Sequence, residues 1–145
     1  MSDYEILFEA SYDRVVGKGV GINPRGELFF KRFYEIFFSR SEEIKRKFAN
    51  VDMDAQVGML QKSIYHLVSF YVSKEENEYL HQIAATHSKQ HYGIRPEMYS
   101  IWLDALIETV RQLDPECDRE IELAWRMALT PGILYMQSLY DAVED

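Results

Sequence analysis

Residues 80–99 read LHQIAATHSKQHYGIRPEMY, and the rest of the chain is organised around this stretch. Leu80, Ile83, Ala84 and His87 recur at the three- and four-residue spacing of one helix face, so the imidazole points where core side chains point. The helical pattern then stops. Gly93 and Pro96 mark a loop, with Pro96 placed to open the next helix. A core-facing histidine at a helix end has two readings: a buried imidazole bonded to a neighbour, or a ligand to a metal or cofactor iron.

Outward from that stretch the pattern stays helical. Glycines and prolines fall between periodic segments and strand signals are missing, so the chain reads as all-α. Helices are expected over about residues 4–16, 24–39, 52–73, 74–87, 96–113 and 115–143, with a short turn at 41–47. The first carries Ile6, Leu7, Ala10 and Val15 as its apolar side. The second is the most aromatic, LFFKRFYEIFF at 28–38, and Tyr34 is the only hydroxyl on its stripe of Phe30, Phe33, Phe37 and Phe38. Phe48 follows in a polar setting, KRKFANVD, where it either plugs the core or covers something bound. In the helix after it, Gln56 shares a face with Met53, Val57, Leu60, Ile64 and Leu67. A glutamine there either reaches water at the edge or needs partners for its amide. His66 lies off that face and is expected to be solvated. Met98, Ile101, Trp102, Ala105, Leu106 and Thr109 form the next stripe, with Tyr99 beside it. Pro131, between Thr130 and Gly132, is expected to kink or briefly break the last helix.

Composition narrows the function classes. At 145 residues the chain is expected to form one domain, 1–145, that buries about two thirds of its unfolded surface. Its net charge of −8 repels phosphate backbones and no basic cluster interrupts it, so nucleic acid is excluded as a partner. The single cysteine, Cys117, cannot form an internal disulfide, and neither a zinc-like cysteine cluster nor a CxxCH motif is present. With an acidic start and no apolar run of about 18 residues, a membrane partner is not expected and the protein reads as cytoplasmic.

Tyr34, Gln56 and His87 are polar groups on buried faces of three different helices. A bundle tolerates that if they converge on one polar object, and a flat cofactor with an iron centre would be one. The stretches FYEIFFSRSEEIKRKF (33–48), NVDMDAQVGML (50–60), IAATHSKQHYGIRPEMY (83–99) and AW (124–125) resemble, in this order, the globins, in particular bacterial single-domain globins and the haem domain of flavohaemoglobins. The resemblance implies a globin fold, three helices on three around a non-covalent haem b. It makes His87 similar to the proximal iron ligand and Phe48 to the phenylalanine stacked on the haem edge. Tyr34, Gln56 and Leu60 resemble the distal trio around bound dioxygen, and Tyr99 the tyrosine that braces the proximal imidazole.

Two departures stand out. The loop after His87 is two residues longer than the flavohaemoglobin pattern, which brings His91 into view as an alternative ligand; His91 lies beyond the apolar stripe, next to Gly93. The glutamate that completes the proximal brace is matched by Tyr140, a weaker acceptor. The implied function is reversible binding of dioxygen, and also of nitric oxide or carbon monoxide. The alternatives are nitric oxide dioxygenation, which without a flavin or nicotinamide domain in the chain needs a separate reductase, and haem-based gas sensing. A globin-shaped interaction module without haem is the remaining class.

Overall fold

The computed structural model describes residues 3–18, 23–88 and 93–140, and helices are its only regular elements among these residues. They are α1 (Asp3–Val15), α2 (Pro24–Ser39), α3 (Glu42–Lys47), α4 (Met53–Ser73), α5 (Glu78–His87), α6 (Pro96–Leu113) and α7 (Arg119–Ser138). Local chemistry sets most of the starts. The side chains of Asn23, Ser41, Asp52, Asn77 and Asp118 each accept a bond from a backbone N–H of the first turn. Pro24 and Pro96 stand where a missing N–H costs nothing.

Helix α1 packs against α7, α2 against α6, and α4 against α7. Their shared core is aromatic at its centre: Phe29, Phe30, Phe33 and Trp125 are sealed from solvent, and Trp125 stacks on Phe29 and meets Phe8 edge-on. A polar tie fixes α1 to the α6–α7 corner. Asp114 accepts from Ser11 Oγ at 2.6 Å and from the Arg14 guanidinium at 2.8 and 2.9 Å, while Trp125 Nε1 donates to Ser11 Oγ at 2.9 Å. The buried side of α1 is therefore Phe8, Ser11 and Val15, and Ile6, expected inside, is half exposed.

Other expectations also change. Residues 74–77 connect α4 to α5 instead of opening α5, and α7 begins at Arg119, where the Asp118 cap is. Pro131 does not interrupt α7. The helix runs through because its neighbour Gly132 packs directly on α4: a Cβ there would lie 2.4 Å from Leu67 Cδ2 and 3.4 Å from Leu67 Cα. Burial against α4 offsets the bond that proline cannot make. His66 is not simply solvated, since its ring stacks on Tyr79 with centroids 4.2 Å apart.

Candidate functional site

The sequence-predicted residues gather in two polar pairs. In the first, Tyr34 is buried in α2 and Gln56 stands half-buried in the first turns of α4, where its Nε2 donates to the Tyr34 hydroxyl at 3.1 Å. Gln56 thus finds a partner on another helix. Its bond reaches the phenolic oxygen as acceptor, so the phenol's own proton is still there to be given. Burial pushes the Tyr34 pKa well above the ordinary phenol value and outweighs the opposing bond from Gln56, so the proton stays on. Leu60, one turn beyond Gln56, is buried.

Phe48 caps the C-terminus of α3 and is half-buried. Its ring lies 5.8 Å from Tyr34, 5.2 Å from Phe38 and 6.3 Å from Phe37, centroid to centroid. These rings make an apolar wall around one hydroxyl. Phe33 lies beside this wall, its ring centroid 5.0 Å from that of Tyr34 and 6.0 Å from that of Trp102 on α6.

The second pair is His87, the last residue of α5, and Tyr99 in the first turn of α6. His87 Nδ1 and the Tyr99 hydroxyl are 3.3 Å apart. Burial lowers the imidazole pKa to about 4, so the ring is neutral at neutral pH, and burial also raises that of Tyr99. A neutral imidazole has one N–H and one lone pair; with the proton on Nδ1 toward Tyr99, the lone pair is on Nε2. Tyr140 falls in the turn after α7 and not on the helix, and His91 lies outside the described residues.

Whether such residues suit a haem is decided by their chemistry. A lone pair on a neutral ring, a protonated phenol and a wall of phenyl rings fit an iron porphyrin better than they fit a bare cation, and no group of three or more His, Cys, Asp or Glu among the described residues is placed to hold a metal ion. One further observation agrees. Ser88 Oγ, directly after His87, is the one buried side-chain polar atom among the described residues without a hydrogen-bond partner. An orphaned hydroxyl costs stability unless something else meets it.

A family model described as Globin matches residues 31–133. The chain is a member of the globin family. It is similar in structure to a protein of Pseudomonas aeruginosa PAO1, PA3967, described as structurally highly homologous to a human haemoglobin. The TM-score is 0.83 at 34% identity, covering 95% of this chain and 98% of the other. No curated protein matches the sequence. Membership of the globin family implies a haem cofactor, and the matched region contains every residue of both pairs.

Sequence reasoning missed two features of this globin's site. Ser88 gave no signal, because burial of a serine is invisible to apolar periodicity. The other is an ion pair between Glu43 of α3 and Arg95, the residue before α6, in which two guanidinium nitrogens meet two carboxylate oxygens at 2.5 and 2.9 Å. Opposite charges 52 residues apart carry no spacing rule that could have paired them.

Proposed function

We propose that this globin holds haem b non-covalently through His87 and reversibly binds dioxygen, with nitric oxide and carbon monoxide as further ligands. Ferrous haem, when bound, supplies an iron with an open position for a diatomic gas. The protein's part is positional and electrostatic. His87 offers Nε2 to the metal while Tyr99 holds Nδ1, which fixes the ring's tautomer and rotation. Phe48, Phe37 and Phe38 surround the Tyr34 ring with apolar groups that would keep water from a bound gas, and Leu60 contributes apolar bulk. Tyr34 is the donor to a gas ligand whose outer atom carries partial negative charge, and Gln56 holds the phenol in place.

The Tyr34–Gln56 bond, with a phenol that burial keeps protonated, carries this reading. A hydrogen bond to a charged acceptor contributes roughly 1.5 to 3 kcal/mol, which is about ten- to a hundredfold in affinity. The expected result for Tyr34→Phe is therefore oxygen dissociation faster by about that factor, read by stopped-flow absorbance. An unchanged rate would remove Tyr34 as donor. His87→Ala should abolish the ordinary haem spectrum, and an intact Soret band in that variant would remove the proximal assignment.

A further inference from the structure

We propose that Glu43 and Arg95 form a positioning clasp that holds the Phe48 corner and the His87 end of the site in fixed relation. The proposal rests on the reading that His87 takes the iron. All three guanidinium nitrogens of Arg95 are engaged: Nη1 and Nη2 on the two oxygens of Glu43, and Nε on Glu97 at 2.6 Å. A planar fork gripped at three points has a set direction, unlike a single exposed ion pair. The bonds to Arg95 hold both carboxyls, Glu43 and Glu97, below the ordinary glutamate range, so the clasp is charged at neutral pH.

What each end carries gives the clasp its consequence. Glu43 belongs to a helix of six residues, too short to hold itself in place, and that helix is capped by Phe48, whose ring lies on Tyr34 and Phe38. Arg95 follows Ile94, whose N–H donates to the His87 carbonyl at 2.9 Å. Just before it, Gly93, at φ +62, donates from its N–H to the Ser88 carbonyl at 2.9 Å. Residues 93 and 94 are thus tied to the end of α5, and Tyr99, the partner of the imidazole, stands one turn beyond Arg95. A displacement of Arg95 reaches His87 through one backbone bond and through Tyr99. The clasp therefore joins α3 to the residue that precedes α6 and, through Ile94 and Tyr99, to the imidazole.

The test is a double-mutant cycle on the haem-loaded protein, using Glu43→Gln, Arg95→Gln and the double variant. Two readouts are taken: the rate of haem loss to an excess of a haem-scavenging apoprotein, and the iron–imidazole stretching frequency of the ferrous form. Each single variant should lose haem about two- to fivefold faster, the double variant no faster than either, and all three should show a shifted stretch. Raising salt should bring the wild type toward the variants, because the pair is partly exposed. Arg95→Lys, which keeps the charge and loses the fork, should fall between. Wild-type haem loss and stretch in the single variants, or additive effects in the cycle, would overturn the clasp while leaving His87 as ligand. A wild-type protein that takes up no haem would overturn the functional reading first, and the clasp with it.

Discussion

His87 illustrates how one partly buried side chain sets a measurable property of the whole protein. In an unfolded chain its imidazole titrates near 6.5, while burial lowers it to about 4 in the folded protein. Between these values the unfolded state binds a proton that the folded state does not, so stability of the cofactor-free protein is complete above about pH 6.5 and falls as the solution is acidified. At about 1.4 kcal/mol per unit the loss amounts to a few kcal/mol at most. His66, whose pKa is lowered by burial and by Lys62, acts in the same direction. The urea midpoint of cofactor-free protein should therefore drop between pH 7 and 4.5, and His87→Leu should flatten most of that slope. An equal slope in the variant would mean that the folded ring is protonated like the unfolded one. At this scale the sequence was informative where a polar residue broke an apolar stripe, as Tyr34, Gln56 and His87 do. It was silent where burial follows from a partner far along the chain, as for Ser11, which is inside because Asp114 and Trp125 meet it there.

Helices were legible because their apolar spacing and caps are local properties, and α2 matches its expected limits of 24–39 for that reason. Ends decided by one competing side chain, or by a tertiary contact, were not. The run from 74 to 77 has helical composition, yet Asn77 captures the Leu80 N–H and starts α5 at Glu78. Pro131 gave a valid local signal that packing of Gly132 on Leu67 overrode. The attachment of α1 was equally hidden, since it depends on Arg14 and Asp114, a hundred residues apart. Burial raises the Asp114 pKa, but the bonds from Arg14, Ser11 and the Glu116 N–H outweigh it and hold the carboxyl below its usual value. Asp114→Ala would strand the Ser11 hydroxyl in the core and leave Arg14 facing a gap. Removing one partner of a buried charged network costs roughly 3–5 kcal/mol, and the 25% exposure of the Arg14 side chain places this case toward the lower end. The checking measurement is chemical denaturation; a change under about 0.5 kcal/mol, typical of surface positions, would show that α1 is held by its apolar face alone.

The candidate site draws residues from α2, α3, α4, α5 and α6, so a group bound there touches most of the fold at once. Such a group binds the folded chain and has no comparable site in the unfolded one, and mass action then converts affinity into stability. With free haem at about a thousand times its dissociation constant the gain is about 4 kcal/mol, which for a domain of this size raises Tm by about 10 °C. The pattern among variants separates the roles. Tyr34→Phe leaves His87, the proposed iron ligand, and the apolar walls in place, so its haem-induced rise should equal that of the wild type while its oxygen dissociation accelerates. His87→Ala should lose much of the rise even if its cofactor-free Tm is close to normal, because the porphyrin's apolar burial remains but the iron–nitrogen bond does not. A full rise in His87→Ala, measured by differential scanning calorimetry with and without haem, would mean that the group is held without the imidazole. The two polar pairs would then be only a way of satisfying buried side chains.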